Sequence, residues 1–132
     1  MEHGNNHIAL ETKLQALVNS ALKDIIPGIL EEWRREIDIM RQAVSESDFD
    51  AVQKISHKMK GTGGMFGLSG MTEMGGGLET AAINRSKEGM KKHLHMLASY
   101  VEEVRMSFNR QRIKDLAGKS VINDPNPNNL KE

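Results

Sequence analysis

Apolar residues recur every three or four positions along most of the chain, and no stretch alternates with the period of two that a half-buried strand needs. The pattern predicts an all-α protein. A first helix is expected over about Ile8 to Ile25, with Leu10, Leu14, Leu17, Ala21 and Ile25 on one stripe. A second begins near Pro27, because a proline in the first turn lacks only an amide that would be unpaired there anyway. Its apolar face is Leu30, Trp33, Ile37, Met40 and Val44, and Trp33 on that face reads as a core anchor. Ser45 to Asp48 closes this helix, and Ser47 or Asp48 can cap a third over about Phe49 to Phe66. A fourth is expected over about Ser69 to Ala82, capped by Ser69. It should bend or fray at Gly75, Gly76 and Gly77, since each glycine costs about 1 kcal/mol against alanine inside a helix. Ser86 can cap a long last helix with Met90, Leu94, Leu97, Val101, Val104 and Phe108 on one side.

Beyond about Leu116, proline and asparagine replace periodic apolar residues, which predicts a flexible tail. Five amphipathic helices with short connections and no repeat at solenoid spacing favour an antiparallel four-helix bundle with an additional N-terminal helix at one end. The expected division is a helical extension over residues 1–25, the bundle over 26–114 and the tail over 115–132.

The third helix has two unlike faces. At about 100° per residue, Val52, Met59, Thr62 and Phe66 fall within about 60° of Ile55 and form the expected buried stripe. His57 lies about 200° from Ile55, and Gln53, Lys60, Gly61 and Gly64 share its outward side. A solvated helix face normally carries Glu, Lys, Gln or Ala, so glycines around an exposed imidazole ask for another cause. Access supplies it. A flat patch lets a partner's backbone approach the ring closely and in line. A neutral imidazole offers a nucleophilic nitrogen, and Lys60, one turn away, can set positive charge against phosphoryl oxygens, with Lys54 and Lys58 extending the field. Gly67 reads as a left-handed cap, Gly63 as a site of close helix packing, and Thr62 as bonded to a carbonyl one turn earlier.

Composition narrows the choice. With 132 residues, 38% of them hydrophobic, the chain suits one compact domain. It has no cysteine, which excludes disulfides, thiolate chemistry and a cysteine zinc site and permits a reducing cytoplasm. No run is long enough to cross a membrane, and the first residues lack the order of a secretion signal, so a cytoplasmic protein with no direct membrane insertion is expected. The formal net charge is zero, from 18 basic and 18 acidic side chains, which argues against a nucleic-acid binder. The charge is uneven, however. Residues 1–50 hold 10 acidic and 5 basic side chains, and residues 51–114 hold 5 acidic and 11 basic ones. His57 stands where the basic half begins.

His57, Lys60, Gly61, Gly64, Phe66 and Gly67, followed by Leu78 and Glu79, resemble the signature of histidine-containing phosphotransfer (HPt) domains, over about Ile26 to Arg112. The resemblance implies that His57 accepts a phosphoryl group, on the ring nitrogen farther from the backbone, and that Lys60 steadies it. Gly61 and Gly64 would clear a docking surface bordered by Gln53, Lys54 and Lys58. Phosphate would arrive from a phosphoaspartate on one response-regulator receiver domain, such as that of a hybrid sensor kinase, and leave to an aspartate on another. No intrinsic cofactor is implied, because Mg2+ would be held by the receiver, and no autonomous kinase activity is expected. The triple glycine before Leu78 and Glu79 departs from the family pattern, and Glu79 is left as a structural partner or a rim residue.

Other readings fit less well. The phosphoacceptor segment of a sensor kinase usually has an acidic residue directly after its histidine, where this chain has Lys58, and no room remains for an ATP-binding domain. A hydrolase or lyase at His57 needs a second convergent group, and none has clear helical spacing. His93 and His95 point to different faces and make no metal pair, and His3 and His7 would need a helical terminus to do so. Of the nine methionines, Met40, Met59 and Met90 lie on core stripes and read as packing residues rather than a peptide groove. The remaining alternative is a noncatalytic helical interaction module whose glycine-histidine patch only docks a partner. One exposed transfer face on a closed bundle makes a monomer the simpler expectation.

Overall fold

The structure, a computed structural model, describes residues 2–123, all of whose regular elements are helical. In chain order they are α1 (Glu2–Val18), a 3-10 turn (Ala21–Asp24), α2 (Ile26–Ser45), α3 (Phe49–Met65), α4 (Ser69–Ile83) and α5 (Lys87–Asn123). α2 packs on α3, α3 on α4, α4 on α5 and α5 back on α2, closing a four-helix ring, while α1 lies against α5. The seam between α2 and α5 therefore stands across the bundle from the seam between α3 and α4.

Apolar stripes close this ring. Leu30, Trp33, Ile37, Met40 and Val44 of α2, Val52 and Met59 of α3, Met71 and Leu78 of α4, and Met90, Leu94, Leu97, Val101, Val104 and Phe108 of α5 are all buried. Each large side chain removed from water in this way contributes about 1.5–3 kcal/mol relative to exposure. Leu14, Leu17 and Val18 seal α1 into the same core.

Several helix boundaries differ from expectation for local reasons. The first helix stops at Val18 rather than running to Ile25, because Ser20 becomes a cap whose Oγ accepts the Leu22 amide at 3.0 Å and starts the 3-10 turn. Ala21 and Ile25 consequently leave the stripe and are exposed. Asp48 caps α3 as expected, its carboxylate accepting the Ala51 amide at 3.3 Å. Ser69 does not cap α4. Leu68 occupies that position and its carbonyl accepts the Met71 and Thr72 amides. The Gly75–Gly77 run is continuous α-helix, because a neighbouring helix fills the space beside it. α5 continues through Leu116 to Asn123, since Gly118 is only a weak breaker and the first proline in that region is Pro125. The rest of the expected tail, 124–132, lies outside the described residues.

α3 and α4 form the closest pair. Gly67 ends the turn between them with φ +71°, the left-handed conformation foreseen for it. A Cβ on Gly63 would stand 2.3 Å from Met71 Cγ, so this glycine sets the distance between the helices. Thr62, expected on the buried stripe, is only half-buried, and Ser56 and Gly63 take its place because the core of α3 is turned toward α4.

Gly63 and Gly61 should respond oppositely to the same change. Gly63→Ala is expected to destabilise by about 1–3 kcal/mol through overpacking. Gly61 has nothing within 4 Å of a built Cβ, so Gly61→Ala should stabilise by up to about 1 kcal/mol. Urea unfolding of both variants checks the pair, and the opposite order would contradict this packing.

Candidate functional site

The phase of α3 is set by its buried residues Val52, Ser56, Met59 and Gly63, with the Ser56 hydroxyl donating to the Val52 carbonyl at 2.7 Å. With that side committed to the core, His57 projects outward and its side chain is 68% exposed. The ring is nevertheless held. Its Nδ1 lies 2.8 Å from Oε2 of Glu79 on α4, and Oε1 of the same carboxylate lies 2.9 Å from Lys60 Nζ. One carboxylate thus bridges the histidine and the lysine.

Glycine makes the bridge possible. A Cβ on Gly75 would lie 3.2–3.3 Å from Lys60 Cβ, Cα and N, so α4 crosses α3 closely at this point and brings Glu79 one turn later beside His57. Thr72 adds a hydrogen bond across the seam, donating to the Lys60 carbonyl at 3.4 Å. On the far side of α4, His93 of α5 packs against Gly77 and donates from Nδ1 to the Gly89 carbonyl at 2.9 Å. His93 is thereby a packing residue.

Hydrogen bonding to Lys60, reinforced by His57, holds the Glu79 carboxyl below its ordinary range. An ionised carboxylate has no proton to give, so Nδ1–H of His57 donates to it. In the neutral ring this places the lone pair on Nε2, the nitrogen facing solvent. The site therefore presents an oriented nucleophile with an ammonium group fixed beside it.

The other residues singled out in the sequence divide. Gly61 is open on the His57 face, and Gly64 is exposed, where an added Cβ would make only ordinary contact with Thr72. Gln53 is half-buried, and Lys54 is exposed with no ion pair among the described residues. Lys58 does not point freely to solvent but pairs with Glu36 of α2. Glu36 is buried, and among the described residues its Oε1 has no hydrogen-bond partner. Burial pushes the Glu36 carboxyl up against the opposing pull of Lys58, and the contact raises Lys58.

Three features escaped sequence reasoning. Glu36 had a signal, since it stands one turn from both Trp33 and Met40 beside the apolar stripe. The bridging role of Glu79 had none at the level of spacing, because it depends on how two helices cross. Met65, 77% exposed on α3 beyond Gly61, lies outside the periodic pattern.

Among the described residues no group of three or more His, Cys, Asp or Glu is placed to hold a metal ion, and no helix is long and apolar enough to cross a membrane. A family model described as Hpt domain matches residues 25–110. Comparison with curated proteins and with solved structures gives no match.

The depressed Glu79 carboxyl has a pH consequence. Such a group binds fewer protons folded than unfolded, so its contribution to stability is complete above the ordinary carboxyl value of 4.5 and is lost as pH falls through the lower folded value. The stability difference between the native chain and Glu79→Gln should therefore be full at neutral pH and shrink below pH 4.5. Denaturant melts across that range test it, and a difference independent of pH would remove Glu79 from the bridge.

Proposed function

Because the chain belongs to the Hpt domain family and so works in histidine phosphotransfer within a phosphorelay, we propose that His57 is the residue that carries the phosphoryl group. The observation that carries this assignment is the Glu79 bridge, which fixes the ring, leaves Nε2 open and sets Lys60 beside it.

In the forward step Nε2 attacks the phosphorus of a receiver's phosphoaspartate. The N–P bond forms, the P–O bond of the acyl phosphate breaks, and the receiver's aspartate leaves as a carboxylate. With its proton retained on Nδ1, the imidazole becomes cationic as the N–P bond forms, and the ionised Glu79 offsets that charge. Lys60 faces the phosphoryl oxygens. The reverse sequence delivers the group to an aspartate of a second receiver. Glu79 thus acts as a positioning residue.

Docking uses the outward face of α3. Gly61 and Gly64 keep it low, Gln53 and Lys58 border it, and Lys54, with no ion pair among the described residues, supplies positive charge toward a receiver's acidic pocket. The partners in this reading are response-regulator receivers and a hybrid sensor kinase, with the Mg2+ belonging to the receiver. The chain acts as a cytoplasmic monomer with no kinase activity of its own.

Incubation with phosphorylated receivers should give acid-labile label on the native chain and none on His57→Gln. Lys60→Ala should slow transfer by about 10- to 100-fold while keeping the helices. Label on His57→Gln would displace the assignment, and no label from a broad panel of active receivers would leave a noncatalytic interaction module.

Gly61 gives a separate steric test. Gly61→Leu should slow transfer by at least about 10-fold even though the helix gains stability from the replacement. Stopped-time transfer assays beside thermal melts measure both, and unimpaired transfer would refute a close approach over this glycine.

A further inference from the structure

Among the described residues, nine large apolar side chains are exposed. Four stand on α5, and Leu22 and Ile25 precede α2. The other three are distributed one to a helix, Ile39 on α2, Met65 on α3 and Ile83 on α4, each more than half exposed. A single exposed apolar residue needs no explanation, so what counts is where these three stand.

The helix contacts fix their positions. α3 and α4 run antiparallel, with Gly63 against Met71, Lys60 against Gly75 and His57 against Glu79. Carrying that register one turn further sets Ile83 beside Gln53, and Ile83 is about 40° round α4 from Glu79, on the side away from the buried Leu78. Between α2 and α3 the register is set by Glu36 and Lys58. Ile39 stands one turn after Glu36 and about 60° from it, on the side away from the buried Met40, which brings it to the level of Lys54. Met65 lies past Gly61 and Gly64, about 12 Å along α3 from His57 and about 80° round it. Three helices thus each bring one apolar side chain to the face that carries the imidazole, with Ile39 and Ile83 toward one end of α3 and Met65 toward the other.

We propose that Ile39, Met65 and Ile83 are the apolar anchors by which this chain holds a receiver domain and selects among receivers, an inference that rests on the transfer reading of His57. The ground between them is low at the glycines and carries the charge of Lys54, so it fits a partner whose acidic centre is enclosed by apolar surface. A second copy of this chain seated here would cover both imidazoles and shut the transfer that the family performs. Charge guides the encounter, whereas the anchors set how long the complex lasts. They also discriminate, because a receiver with polar groups at any of the three places would have to desolvate them without a partner.

The test follows phosphoryl transfer between the full chain and the receiver with which it exchanges label, comparing Ile39→Gln, Met65→Gln and Ile83→Gln with the native protein. Each should raise KM for the receiver by at least about 10-fold, the effect of losing one anchor. The kcat should change by less than about 2-fold, because the imidazole and its partners are untouched. Met106→Gln, at a comparably exposed position on α5, should alter neither. Phosphoramidate, a small donor with no docking surface, should label His57 equally in the native chain and in the three variants. Equal labelling with an unchanged KM for the receiver would overturn the anchors and leave the transfer reading standing. Absence of label on native His57 from both phosphoramidate and receivers would overturn that reading and this inference with it. Self-association of the native chain that Met65→Gln abolishes would assign the face to a second copy and overturn the choice of partner.

Discussion

The distance between α3 and α4 governs how His57, Lys60 and Glu79 are brought together. At Gly63 a side chain would run into Met71, and at Gly75 one would run into the backbone of Lys60, so the two helices meet almost backbone to backbone. Only at that separation does a glutamate side chain on α4 reach both His57 and Lys60 of α3. A wider crossing would leave the histidine free to rotate and the lysine free to wander.

Charge is distributed on the same plan. Carboxylates from the two flanking helices each take one lysine of α3, Glu79 of α4 holding Lys60 and Glu36 of α2 holding Lys58. The two pairs are not equivalent. Glu79 is an acceptor for two donors and is stabilised in its ionised form, whereas Glu36 is buried with one oxygen unmatched. Glu79 therefore orders the His57 ring, while Glu36 draws Lys58 toward α2. On the α2–α5 side, Arg41 takes a carboxylate from its own helix, Asp38 at 2.9 Å.

The fold was largely legible because its apolar stripes are long and regular. The face of α5 from Met90 to Phe108 and that of α2 from Leu30 to Val44 are buried as their periodicity requires. Local competition decided where the reading slipped. Ser20 offered the backbone a cap before Ile25, Leu68 displaced Ser69 at the start of α4, and periodicity gave no weight to the helical capacity of the segment after Leu116. At the site, the outward turn of His57 and the openness of Gly61 follow from helical phase alone. Glu79 and Glu36 reach their partners across helix pairs, and one-dimensional spacing within a helix does not encode that distance.

The glycines of α4 also decide when the site exists. Gly75, Gly76 and Gly77 together leave this segment about 3 kcal/mol short of an alanine helix, too poor a former to hold its shape alone. Its helicity is borrowed from Lys60 on one side and His93 on the other. Glu79 consequently arrives beside His57 only when the whole ring has closed. In a nascent or partly melted chain the imidazole is bare and unaligned, so the arrangement of His57, Lys60 and Glu79 exists only in molecules that have finished folding.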